Sequence, residues 1–274
     1  MRNRYSWKTL IGEIIIAIIG LAYIIPLYFV FNTSVKTSKE VFASTMGLPE
    51  QMQWENFKTV WEKGVAKGLV NSLIITLISV AILVILGAMA SYVIARRTNW
   101  LTKTVYWLTL LGIMIPFQLS IIFIYYVFAK AGLTGNRIGM ILLWSGVWMP
   151  MTIVLYTGFM RQLPKDYEEA ARIDGARPWR IFWKVVFPLQ RPVTGTVAVV
   201  MGLFTWNDFF ASNIFLGGSK IMTLPVAIYQ FVGQYVSKWN LIFAAVLVAI
   251  VPVIVLFLFT QRQMIKGFAG GMKG

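Results

Sequence analysis

The chain's 274 residues include ten Asp and Glu but no His and no Cys. Imidazole bases, thiolate nucleophiles, disulfides and Cys/His metal sites are therefore excluded together, and little conventional enzyme chemistry remains. No stretch reads G-x-x-x-x-G-K-[ST], so no P-loop of the usual kind cradles nucleotide phosphates; if ATP drives the chain, another subunit binds it. The acids that could do something gather in two places. Asp166, Glu168, Glu169 and Asp174 stand in a polar stretch at 161–191, and Asp208 stands inside an apolar run. An acid at membrane depth is a functional candidate by default; the alternative is a structural hydrogen bond or a place in a gate.

The elements that position these groups follow from composition. With 58% apolar and 13% charged residues, the chain must contain long apolar runs, which read as membrane helices. The net charge of +15 does not indicate nucleic acid, because the Lys and Arg lie between apolar runs rather than on one wet face. A helix needs about 20 mostly apolar residues to span the hydrocarbon core. Six segments qualify: 10–31, 69–95, 105–129, 138–159, 193–214 and 241–260. Most basic residues, including Arg2, Arg4, Arg96, Arg97, Arg172, Arg177 and Lys273, fall on the side shared by both termini, which places the termini in the cytoplasm. The first run reads as a retained span, being about twice the length of a signal-peptide h-region. Pro116 and Pro150 fall in spans, where they permit bends that serve gating or are static kinks.

Two outer loops are long. In 34–68, Trp54, Phe57 and Trp61 mark one face of an amphipathic helix, lying on the membrane surface or packing against the tops of spans. The loop 215–240 opens with Gly217-Gly218-Ser219 and reads as flexible there, with Tyr229, Gln230, Phe231 and Tyr235 further on.

The inner stretch 161–191 is punctuated like folded structure. Pro164 ends the fourth span, Asp166 suits a helix cap with Glu169 reaching back in a capping box, and Gly175 suits a left-handed stop. Pro178 suits the first turn of a second helix over 179–186, with Trp179, Phe182, Trp183 and Val186 on its apolar face and Pro188 ending it. Glu168 and Arg172, four residues apart, read as a solvated pair.

Glu169-Ala170-Ala171, three residues, Gly175, nine residues and then Val185-Val186-Phe187-Pro188 resemble the EAA loop of bacterial ABC importer permeases, E-A-A-x3-G-x9-I-x-L-P. Val185 stands for Ile and Phe187 for Leu. Trp206-Asn207-Asp208-Phe209 and the ending 261–274 are similar to segments of the carbohydrate-uptake group of that family. The resemblance implies an all-α integral membrane protein with six transmembrane helices of the type I importer permease fold, both termini cytoplasmic. Its divisions are a first helix and outer loop at 1–68, a permease core at 69–262 and a cytoplasmic tail at 263–274.

It also implies assembly with a second homologous permease, two ATPase subunits that hold ATP and Mg, and an extracytoplasmic solute-binding protein. Sugar is the substrate, the bacterial cytoplasmic membrane the location, and no nucleic acid is bound. By resemblance Asp166, Tyr167, Glu168, Glu169, Ala170, Ala171, Asp174, Gly175 and Pro188 couple to the ATPase, and Gln263, Lys266 and Gly267 reach it from the tail. Asn207, Asp208, Trp144, Trp148 and Gln118 are candidates for a gate or substrate path. Sugar sites pair flat aromatic faces with a few polar groups, whereas membrane aromatics also serve lipid and interface. The chain itself has no catalytic residue, metal or cofactor. An integral-membrane enzyme would need convergent acids, bases or metal ligands, and a secondary transporter would show internal repeats and buried ion-coupling residues; neither is evident.

Overall fold

The computed structural model describes residues 7–233 and 237–271, and their side chains except those of Lys8 and residues 259–271. Arg2, Arg4, Tyr235 and Lys273 lie outside the described residues. Every regular element described is a helix: α1 Trp7–Ser34, α2 Ser38–Ala43, α3 Glu55–Val60, α4 Ala66–Arg96, α5 Trp100–Met114, α6 Phe117–Lys130 and α7 Arg137–Gln162. There follow α8 Asp166–Ile173, α9 Pro178–Ile181, α10 Phe187–Leu189, α11 Arg191–Trp206, α12 Phe210–Phe215, α13 Leu224–Tyr229 and α14 Trp239–Gly271. A kink at Lys63 and Gly64, where Gly64 takes φ 106°, lies between α3 and α4, and a wider π turn at Phe182–Val186 joins α9 to α10.

Four helical stretches are long and apolar enough to cross a membrane: Thr9–Ser34, Glu55–Arg96, Arg137–Gln162 and Trp239–Leu258. The expected third span is not one helix. α5 and α6 meet at 104°. Proline is the cause: it drives the preceding residue away from helical backbone, and Ile115 sits at φ −80° and ψ 115° before Pro116. The expected fifth span is also interrupted, since α11 ends at Trp206 and α12 begins at Phe210. Pro150, by contrast, lies within a continuous α7.

The described residues form two compact units, 67–226 with 252–274, and 1–66 with 227–251. In the first, α5 and α11 pack on α7. Gly87 of α4 faces Thr152 of α7, and a Cβ on Gly87 would collide with the Thr152 methyl, so the small residue is what permits this close helix approach. At one end of the unit Arg137 Nε donates to Asn71 Oδ1 at 2.8 Å, and Asn71 Nδ2 donates to the Met222 carbonyl at 2.8 Å. The Gly135 amide donates to the Phe215 carbonyl there. At the other end Arg96 Nη2 donates to the Leu163 carbonyl at 3.0 Å. The starts of α4 and α7 thus share one end and their C-termini the other, so α5 and α6 together carry the chain once from end to end. The segment 217–221 is an ordered turn rather than a flexible one: Gly218 takes φ 76°, and the Ile221 amide donates to Ser219 Oγ.

In the second unit, α1 ends in a polar knot. Lys36 is buried, its Nζ donating to the Ser44 carbonyl at 2.9 Å, and Asn56 Nδ2 donates to the Ser34 carbonyl at 2.8 Å. Asn240 Nδ2 donates to Asn56 Oδ1, and Ser38 Oγ donates to Asn240 Oδ1. Thr37 and Glu40 form a capping box at α2, and the backbone N–H of Thr37, then its hydroxyl and the Glu50 N–H, hold the Glu40 carboxyl below its ordinary range. After α2, Val60 and Val65 are buried, whereas Trp54 and Trp61 are 57% and 53% exposed and Phe57 is half-buried. The two indoles of the aromatic stripe therefore remain largely exposed within this unit.

Candidate functional site

The polar loop opens as its sequence demands. α7 stops at Gln162, Leu163 turns extended (φ −76°, ψ 128°) ahead of Pro164, and α8 begins at Asp166. The expected capping box is absent. Lys165, not Asp166, is the residue before the helix, and its backbone is already helical (φ −73°, ψ −19°) with no side-chain cap. The Lys165 carbonyl accepts from the amides of Glu168 and Glu169. Asp166, Glu168 and Glu169 instead occupy the first turn, where negative charge complements the helix dipole, an effect of about 0.3–1 kcal/mol each for the exposed Asp166 and Glu169.

The far end holds as read. Gly175 takes φ 78°, the Ala176 amide donates to the Ala171 carbonyl, and the Gly175 amide donates to the Arg172 carbonyl. This is a Schellman stop, which a left-handed glycine completes without steric penalty. No heavy atom of the chain lies within 4 Å of where a Gly175 Cβ would stand. Asp166, Tyr167, Glu169, Ala170, Asp174 and Gly175 are all exposed, and Ile173 is 87% exposed. Ala171 turns the other way and packs against the buried cluster of Tyr156, Met160, Ile181 and Phe182.

Glu168 corrects the expectation most sharply. It is only 5% exposed and does not form a solvated pair with Arg172. Arg96 Nε donates to its Oε1 at 2.6 Å, and the Tyr92 hydroxyl donates to its Oε2 at 3.0 Å. The reason is helix geometry: with Glu169 outward, its neighbour one-third of a turn away faces the end of α4. Arg96 and Tyr92 were missed in the sequence. The available signal was their spacing of four residues at the basic C-terminal end of an apolar run.

The second loop helix is longer than expected and differently faced. It runs from Pro178 at its first turn through the π turn to Leu189, with Pro188 inside it rather than ending it. Ile181, Phe182 and Val186 are its buried residues, while Trp179 is 64% exposed. The break comes at Gln190, where the direction turns by 72° into α11. That corner is tied down: Thr194 Oγ1 donates to the Gln190 carbonyl, and the Tyr156 hydroxyl of α7 donates to Thr194 Oγ1 at 2.9 Å.

The second candidate group converges on a cavity of about 540 Å³ at the Pro116 break, lined by Gln118, Trp144, Trp148, Pro150, Phe204 and Asp208 among others. Asn207 is not among the lining residues; it is exposed, and its Nδ2 donates to the Leu203 carbonyl. Trp148 is sandwiched, with its ring centroid 5.8 Å from Trp144 and 4.9 Å from Phe204 in stacked geometry, and Phe117 leans on Trp144. The flat faces expected for sugar contact are thus occupied by one another. The indole Nε1 groups of Trp144 and Trp148 are buried without a hydrogen-bond partner. Asp208 has a structural task at the rim: its Oδ1 accepts from the Ala211 amide and its Oδ2 from the Ser212 amide, capping α12. Among the described residues no three His, Cys, Asp or Glu could hold a metal ion. The side chains of Gln263, Lys266 and Gly267 lie outside the described ones, on a backbone that stays helical to Gly271.

Membrane-length apolar helices and a helical core define a multi-pass membrane protein. Residues 83–267 match the binding-protein-dependent transport system inner membrane component family, and the chain belongs to it. It is 36% identical to the melibiose/raffinose/stachyose import permease protein MelC of Bacillus subtilis over 99% of both chains. It is 31% identical to the probable starch degradation products transport system permease protein AmyC of Thermoanaerobacterium thermosulfurigenes over 93% of both. A crystal structure of a bacterial ABC transporter involved in the import of the acidic polysaccharide alginate matches in fold with a TM-score of 0.80, covering 94% of this chain and 98% of that one at 20% identity. An inward-facing MetNI methionine ABC transporter matches with a TM-score of 0.57 at 18% identity, covering 74% of this chain and 95% of that one.

Proposed function

We propose that this chain is one of two homologous membrane-spanning subunits of an ATP-driven importer of a sugar or oligosaccharide. The observation that carries the reading is α8: an exposed acidic and small-residue face, stopped by a left-handed Gly175 and backed onto the buried ends of α4 and α7. The relatives named for melibiose, raffinose, stachyose and starch products support a carbohydrate as substrate. In this reading two ATPase subunits hold ATP and Mg in the cytoplasm, and an extracytoplasmic binding protein delivers sugar from the other side. The chain makes six crossings of the bacterial cytoplasmic membrane, counting each broken helix run once, with both termini cytoplasmic. Residues 1–68 supply the first span and outer loop, 69–262 the permease core and 263–274 a tail that reaches the ATPase.

Asp166, Tyr167, Glu169, Ala170, Asp174 and Gly175 form the docking face, while Ala171, Glu168 and Pro188 act from behind it. ATP binding draws the ATPase subunits together and, through α8, biases the helix bundle between two states, as differential binding must; hydrolysis resets it. Gln118, Trp144, Trp148 and Asp208 line the substrate path, the two indoles as part of its stacked aromatic wall; Asn207 stands beside it.

The test is uptake. Proteoliposomes holding the complete complex, with binding protein outside and ATP enclosed, are expected to accumulate at least one of melibiose, raffinose and stachyose. Accumulation should stop when a non-hydrolysable nucleotide replaces ATP. Uptake that persists without hydrolysis and follows a proton or sodium gradient would point to a secondary transporter instead.

A further inference from the structure

We infer that Arg96, Glu168 and Tyr92 form a clamp that fixes the orientation of α8 and joins it to α4 and α7 as one body. The inference rests on the reading of α8 as the docking helix and adds how that helix is held. The side chains of Arg96 and Glu168 are 12% and 7% exposed, at a place where an eight-residue helix is otherwise largely in solvent. Burying an ion pair costs desolvation that only close geometry and further hydrogen bonds offset, so the pair is not a by-product of surface packing. Each demand is met. Arg96 Nε donates to Glu168 Oε1, Arg96 Nη2 donates to the Leu163 carbonyl at the C-terminus of α7, and the Tyr92 hydroxyl donates to the second carboxylate oxygen.

One guanidinium therefore ties three elements: its own α4, the end of α7 and the first turn of α8. Tyr92 and Arg96, four residues apart, lie on the same face of α4 and grip the carboxylate from two sides. The α8 side chain that packs into the buried apolar cluster is Ala171, a single methyl. A methyl contact resists separation but not rotation about the helix axis, whereas two directional hydrogen bonds to one carboxylate set that rotation. With Glu168 fixed inward, Glu169 must face outward. A displacement imposed on α8 from outside is then passed to α7, whose Trp144, Trp148 and Pro150 line the cavity. Arg96, Glu168 and Tyr92 are positioning residues in this scheme, since they face inward, away from the docking face.

The experiment uses the complete complex in proteoliposomes with melibiose as the probe, comparing Arg96→Gln, Glu168→Gln and the exchanged pair Arg96→Glu with Glu168→Arg. The readouts are melibiose accumulated per ATP hydrolysed and the amount of ATPase subunit that co-purifies. Each single variant should lower the coupling ratio by about ten-fold or more while the ATPase still co-purifies, because one buried charge is left unpaired and α8 loses its set rotation. The exchanged pair should couple about three-fold or more better than either single variant, the non-additivity expected of two groups that act on each other, and fall short of wild type because the bonds to Leu163 and Tyr92 are not restored. Wild-type coupling in both single variants would overturn the clamp. So would failure of the exchanged pair to recover, or loss of the ATPase subunit in proportion to uptake, since either outcome makes the pair a structural support only. Glu169→Lys separates this claim from the one beneath it. If that variant retains full uptake, the docking reading itself fails; if it abolishes uptake while the clamp variants do not, the clamp alone is wrong.

Discussion

Replacing Glu169 by Lys is expected to abolish ATP-driven uptake without unfolding the permease. Within the chain the cost is small. Glu169 is exposed and takes part in no capping box, so the substitution forfeits only its place in the first turn of α8, about 0.3–1 kcal/mol of helix-dipole energy. The clamp on Glu168 and the Schellman stop at Gly175 are untouched. The damage lies outside the chain: by the family resemblance this acid faces a basic group on the ATPase, and like charges brought together at an interface cost several kcal/mol. Uptake should therefore fall by about thirty- to a hundred-fold, the equivalent of about 2–3 kcal/mol of lost association. Thermal unfolding of the purified permease should be unchanged. A fall in thermal stability that matches the loss of uptake would reassign Glu169 to holding α8 together.

Replacing Gly175 by Val is expected to have a comparable effect for a different reason. The φ of 78° is open to glycine, and a β-branched residue forced there is an outlier with a strain of about 1–3 kcal/mol. No atom of this chain lies within 4 Å of the added Cβ, so nothing in the permease is struck. The strain instead works on the Schellman bonds of Gly175 and Ala176, and relieving it moves the end of α8 and the exposed Ile173 beside it. Two faults then remain to be separated, backbone strain here and collision with the ATPase. Gly175→Asn separates them, because asparagine tolerates left-handed backbone several-fold better than most residues but still presents a side chain. Transport retained by Asn and lost by Val assigns the effect to the backbone. Transport lost by both assigns it to a close-fitting partner surface. Full transport in the Val variant would mean that the shape of this stop is irrelevant to coupling.

How much of this the sequence discloses depends on whether the cause is local. The left-handed stop at Gly175 and the helix start at Pro178 are legible because backbone chemistry decides them within a few residues. The four long apolar helices are legible because the hydrocarbon core accepts little else. The 104° bend at Pro116 is only partly so: proline announces a disturbance, but its angle is set by how α5 and α6 pack. The capping box fails because Lys165 had already entered helical backbone, leaving Asp166 inside the helix it was expected to cap. Pro188 failed as a helix stop because the π turn at Phe182–Val186 re-spaces the backbone ahead of it. Glu168 is the clearest case of non-local control. Its local spacing offered Arg172 as partner, and only the fold brings Arg96, far upstream, to 2.6 Å from it. Trp144, Trp148 and Gln118 do line one cavity, yet the rings' use of one another's faces is a packing outcome that residue type does not disclose.

The most direct test of the account places a single cysteine at Ala170, on the exposed face of α8, in a chain that otherwise has none. A photoreactive benzophenone maleimide attached there is illuminated in the assembled transporter with and without ATP. The account predicts a covalent adduct between this chain and the ATPase subunit, with a yield that changes when ATP binds. No adduct with the ATPase, or one formed instead with the extracytoplasmic binding protein, would contradict it.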